Sequence, residues 1–175
     1  MRKKFLILIA VISTILLSGC VSEESKTTNI TPKQQSFKRF QSIPLEKTTM
    51  LQTGAKKLTC PECGMKLPMF YKTNHSATSN GKVKQYCSLH CLVEDKHNNK
   101  SHLKDMKVVD VDTLKFIEVE KATYVLGSEI SGTMSSLSKY AFEGRMSARR
   151  FAKENGGKIM KFDEAYEYAL RDFVR

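Results

Sequence analysis

The chain has 175 residues, with 29 Lys and Arg against 18 Asp and Glu and a formal net charge of +11. That length allows one ordinary domain or two very small ones, and a hydrophobic share of 41% allows a modest core. There is no Ser-His-Asp order with elbow glycines, no phosphate loop and no isolated carboxylate pair, so nothing in the sequence supports an enzyme.

Met1 to Cys20 carries a basic start (Arg2, Lys3, Lys4), an apolar run from Phe5 to Leu17, and then Leu17-Ser18-Gly19-Cys20. The run is too short for a comfortable membrane span and small residues precede the break, which predicts a signal peptide over residues 1–19. Its ending resembles the lipobox of bacterial lipoproteins, which implies a lipid on Cys20. The alternative is a short uncleaved anchor helix. Loss of Arg2, Lys3 and Lys4 takes the formal charge from +11 to +8. Such a chain would lie easily against an anionic membrane, at roughly 1 kcal/mol per surface Lys or Arg. Nucleic acid is not an expected partner, because the chain is exported and its lysines are scattered rather than interleaved with aromatics.

From Val21 to about Pro44 the chain is rich in Ser, Thr, Lys, Gln and Glu, and only Phe37 and Phe40 are large and aromatic. It buries too little to offset its ordering entropy and reads as a tether. Leu45 to Gln52 has weak helical character that stops at Gly54, so the lipid anchor and tether together take residues 20–54.

Residues 55–111 form a cysteine-rich unit. Cys60-Pro61-Glu62-Cys63-Gly64 predicts a tight turn with Gly64 at positive φ, and Met65 to Tyr71 reads as the strand that leaves it. Asn80-Gly81 marks a hairpin turn before the alternating strand Lys82 to Tyr86. Ser88 suits a helix N-cap, and a helix to about Lys96 places Cys87 and Cys91 on neighbouring turns near its positive end. Hairpin cysteines followed by helix cysteines resemble a treble-clef metal motif. Thiolates are preferred ligands of zinc and of Cu(I), while an oxidising compartment leaves disulfide pairing as the alternative.

Residues 112–175 read as a second α+β unit without cysteine. Lys107 to Val111, at the end of the first unit, is an expected strand, as are Leu114 to Val119 and Thr123 to Leu126, with Lys139 to Phe142 a further one. Gly144 to Asn155 reads as a helix stopped by Gly156-Gly157, Lys158 to Lys161 as a short strand, and Asp163 as the cap of a last helix to about Phe173. The two halves run in parallel, which predicts an α+β fold of two small related β-β-α-β units, the first treble-clef-like.

Cys60-Pro61-Glu62-Cys63-Gly64-Met65, Tyr124-Val125-Leu126-Gly127-Ser128, Gly132-Thr133-Met134, Ala141-Phe142 and Phe151-Ala152-Lys153-Glu154-Asn155-Gly156-Gly157, in this order, resemble the NosL family. The resemblance covers about Thr59 to Asp163. It implies a copper-binding lipoprotein in the cell membrane or outer membrane, facing the periplasm, that hands Cu(I) to the maturation machinery of nitrous-oxide reductase. It also implies copper ligands at Cys60, Cys63, Met65 and Met134. Cys87-Ser88-Leu89-His90-Cys91 departs from the family pattern and adds two thiols and an imidazole. Either more sulfur serves one copper, or a structural zinc lies beside a separate copper site. Met69, His75 and His90 are further candidate ligands, whereas His97 and His102 read as surface residues.

Overall fold

The computed structural model describes residues 39–172. The expected signal peptide, Cys20 and the tether as far as residue 38 lie outside the described residues.

The segment before the cysteine turn is packed against the body. Gln41 is buried and donates to the Ser131 carbonyl, and Phe40 lies edge-on to Tyr140 with ring centroids 5.3 Å apart. The tether expected to run to residue 54 therefore has to end before these residues. Of the helix expected over Leu45 to Gln52, only a 3-10 turn at Leu45–Lys47 forms. Beyond it the chain runs beside the sheet edge, where Leu51 N–H donates to Gln85 Oε1 and Gln85 N–H donates to Gln52 Oε1.

Leu67–Thr73 is a 3-10 segment, which corrects the strand expected over Met65 to Tyr71. Pro68 explains the change: it has no N–H to give a ladder, and its fixed φ suits the first turn of a helix. Strands β1 (His75–Ser79) and β2 (Lys82–Tyr86) follow, joined by Asn80 and Gly81 at φ 49° and 72°. Positive φ at both central residues matches the twist of a two-residue hairpin. Helix α1 (Leu89–Asn98) buries Leu89, Cys91, Leu92, Val93 and Asp95. Strands β3 (Lys104–Val109) and β4 (Phe116–Glu118) complete an antiparallel sheet of order β2-β1-β3-β4.

The second sheet is built the same way. Strands β5 (Thr123–Leu126) and β6 (Lys139–Phe142) pair, helix α2 (Arg145–Asn155) crosses, and β7 (Lys158–Met160) returns to the other side of β5. Helix α3 (Phe162–Arg171) closes the chain. Its first turn is held by Glu164, whose carboxylate accepts from the Lys161 N–H, rather than by Asp163 as cap.

The fold is thus α+β, with two sheets that each place the first strand of a β-β-α-β unit between the other two. The expected division at residue 111 does not coincide with the sheets, because β4 still pairs with β3. Nor does it divide the core. One buried cluster contains Cys60, Leu67, Cys87, Cys91 and Leu92 from the first unit together with Tyr124, Leu126, Phe162 and Ala169 from the second. Burying a large apolar side chain in such a cluster contributes about 1.5–3 kcal/mol, so each unit draws stability from the other.

Candidate metal centre

The cysteine turn is closed by backbone bonds on both sides: Cys60 N–H donates to the Met65 carbonyl at 2.8 Å and Gly64 N–H donates to the Cys60 carbonyl at 2.9 Å. Gly64 takes φ 72°, a left-handed geometry that strains other residues. This knuckle points Cys60 and Cys63 toward the start of α1, where Cys87 precedes the N-cap residue Ser88 and Cys91 lies in the first turn. The four Sγ atoms all fall within 4.8 Å of one another. Cys63 and Cys87 are 3.4 Å apart, Cys87 and Cys91 3.6 Å. A tetrahedral ion with metal–sulfur bonds of about 2.3 Å requires sulfur–sulfur edges of roughly 3.8 Å, so the cage is already near the size of such a shell.

The cluster shares its protons unevenly. Hydrogen bonds from the Cys87 thiol, then from the Cys91 thiol, pull Cys60 far below the ordinary thiol range despite burial. Cys87 and Cys91 are pushed up, first by their hydrogen bonds to Cys60 and further by desolvation. Four adjacent thiolates would repel one another, and a bound cation removes that cost. Cys60, Cys87 and Cys91 are buried, whereas Cys63 is half-buried and gives the cluster its face toward solvent.

The other candidates are placed differently. Met65 is half-buried and packs against the core cluster that holds the cysteines. Met69 is 46% exposed, and Met134 is 37% exposed at φ 61°. His75 is fully buried outside the four-sulfur group: its Nδ1 is 3.0 Å from the Thr73 carbonyl and its Nε2 3.1 Å from the Tyr124 hydroxyl. Both ring nitrogens of this candidate ligand are thus taken up by the fold. His90 also lies outside the group, with Nδ1 3.6 Å from the Asp172 carboxylate.

Two supporting residues escaped the sequence reading. Thr73 Oγ1 is 2.8 Å from the Cys87 carbonyl and 2.9 Å from Thr133 Oγ1, which fastens the Met134 loop behind the start of α1. That loop is tight at Gly132, where a Cβ would come within 2.7 Å of the Ser135 carbonyl. Asp95, buried on α1, accepts from Lys84 at 2.8 Å, Tyr86 at 2.6 Å and Ser101 at 2.7 Å, and so ties α1 to β2. Nothing in the spacing of Thr73 signals its role.

A sequence profile of the NosL family matches residues 52–170, a span that includes the whole cysteine cluster. The chain belongs to the NosL family. Its fold is similar to the crystal structure of the copper chaperone NosL from Shewanella denitrificans, with 24% identity and a TM-score of 0.52 over 65% of this chain and 95% of that one. It is also similar to the solution NMR structure of the apo-NosL protein from Achromobacter cycloclastes, with 18% identity and a TM-score of 0.38 over 51% of this chain and 82% of that one. Comparison with curated protein sequences finds no match. The cluster is therefore a candidate metal centre on a NosL fold.

Proposed function

We propose that this NosL-family protein is a Cu(I) carrier, held to the membrane by a lipid on Cys20 and facing the periplasm, that donates copper for assembly of the nitrous-oxide reductase copper centre. The observation that carries the reading is the cluster itself: four sulfurs within 4.8 Å, with Cys63 alone half-buried. Cu(I) is soft and is held well by two or three thiolates, so a four-sulfur cage lets one ligand leave while others keep the ion. Cys63 is the sulfur through which exchange would begin. Family membership and the copper chaperone among its structural relatives support the cargo, and the lipobox-like Leu17 to Cys20 supports the anchor.

A second reading is favoured by the sulfur spacing. Separations of 3.4 and 3.6 Å approach a tetrahedral zinc shell, and three of the four thiols are in the core. The chain would then be an anchored interaction module stapled by zinc. Protein purified without air, analysed for metals and titrated with Cu(I) and Zn(II) in competition, separates the two. The carrier reading expects Cu(I) to displace zinc and X-ray absorption to show sulfur neighbours only. Zinc retained against excess Cu(I) would sink it. Membrane fractionation of Cys20→Ala tests the anchor: a soluble or uncleaved form with unchanged metal binding is expected, whereas a correctly cleaved, equally membrane-bound variant refutes it.

A further inference from the structure

Beside the cysteine knuckle runs an open cleft of about 930 Å³. One wall is the edge strand β2, and the other is formed by Lys56, Thr59, Cys60 and Pro61. The hairpin register determines what β2 presents there. Ser79 pairs with Lys82 across a two-residue turn, which turns the backbone N–H and C=O of Lys82, Lys84 and Tyr86 inward to β1 and those of Val83 and Gln85 outward. The bond from Gln85 N–H to Gln52 Oε1 confirms that direction. The chain's own 49–52 segment thus covers the edge at Gln85 and diverges before Val83. Among the described residues no protein acceptor takes the Val83 N–H.

Val83 is also 40% exposed, an apolar side chain on an open edge. Lys56 and Lys82 are exposed around it, Lys84 is half-buried and paired with Asp95, and no residue lining the cleft carries a carboxylate. Lysines on an edge strand repel neutral aggregation and basic strands, but they attract an acidic one.

We propose that this cleft is a docking site for an extended acidic segment of a partner protein, which pairs with the Val83 backbone and passes alongside the Cys60 knuckle. Pairing at a single outward residue gives only two backbone hydrogen bonds, so the contact is weak and quickly released. That suits a partner that must meet the metal centre and leave. The site is independent of which metal the cysteines hold.

The probe is a fluorescent octapeptide of alternating glutamate and threonine, with its lysine–threonine counterpart as control, titrated into the full-length chain in detergent and followed by anisotropy and by amide shifts. The acidic peptide is expected to bind with shifts centred on Val83, and to lose tenfold or more in affinity in Val83→Pro, which removes an N–H the fold does not use. Lys56→Glu with Lys82→Glu should reject the acidic peptide and accept the basic one, and this pair decides the matter if Val83→Pro does not fold. Undiminished acidic binding in the charge-reversed variant, or shifts spread over other basic surfaces, would overturn the proposal. Metal titration of the same variants should be unchanged, so failure of the docking site and failure of the carrier reading are distinguishable.

Discussion

At the residue scale, His75 shows how burial decides a histidine's role. Its Nδ1–H donates to the Thr73 carbonyl, and Nε2 accepts from the Tyr124 hydroxyl, so the neutral ring satisfies both partners. Desolvation lowers its pKa from 6.5 to about 4. An unfolded chain takes up this proton below pH 6.5, whereas the folded one resists until about pH 4, so stability falls as pH drops through that window and levels below it. The full loss is about 3 kcal/mol, at 1.36 kcal/mol per unit. Urea unfolding of the metal-free protein at a series of pH values should show this slope, and His75→Gln should flatten it. An unchanged slope in the variant would assign the effect to other groups. Met65 poses a different question. Met65→Leu keeps volume and apolarity, so stability should change by less than ~1.5 kcal/mol while Cu(I) affinity drops if the thioether is a ligand. Equal Cu(I) affinity would leave Met65 as packing beside the cysteines.

At the scale of elements, the cysteine-bearing start of α1 is held by its attachment to β2. Asp95 is buried with Lys84, Tyr86 and Ser101 as donors, and these hydrogen bonds hold its carboxyl below the ordinary range against the opposing pull of burial. Asp95→Asn removes the charge and one acceptor oxygen, leaving Lys84 without its counterion; a loss of about 3 kcal/mol is expected by chemical denaturation. A loss below 1 kcal/mol would mean that water replaces these bonds. Elements with a strong local signal were legible in the sequence: the Asn80-Gly81 hairpin, the alternation of Lys82 to Tyr86, and α1 after Ser88. The segment from Met65 to Tyr71 was not, because Pro68 outweighs the apolar run. The packing of Phe40 was weakly signalled too, since two aromatics three apart in a polar stretch carry little periodicity, yet it finds Tyr140 and Phe151 across the fold. The meeting of the cysteine pairs follows from spacing plus a hairpin and a helix. The Thr73 link behind Cys87 depends on a contact 60 residues away at Thr133, which no local pattern encodes.

At the scale of the whole molecule, the two β-β-α-β units share one core, and a metal held by the four cysteines would add a second link across the first of them. Phe162, Ala165 and Ala169 of α3 pack in the same buried cluster as Cys87, Cys91 and Leu92, so residues 55–111 alone would expose that face and are not expected to fold. Thermal unfolding of the described body should therefore be one cooperative transition. Metal then acts through linkage: the full four-sulfur shell exists only when the knuckle at Cys60 and Cys63 and the start of α1 at Cys87 and Cys91 are both in place, so an ion binds the folded chain more tightly than the unfolded one. At a free metal concentration about 1,000-fold above Kd, the gain is roughly 4 kcal/mol, or on the order of 10 °C in Tm for a body of this size. Calorimetry with and without one equivalent of metal should show that shift, and a strong chelator should reverse it. Cys60→Ser, Cys87→Ser and Cys91→Ser should each abolish most of it, because each takes a sulfur from the same shell. Two variants that keep the full shift while Cys60→Ser loses it would divide the four sulfurs between separate roles, and two transitions in the metal-free protein would mean that the units stand independently.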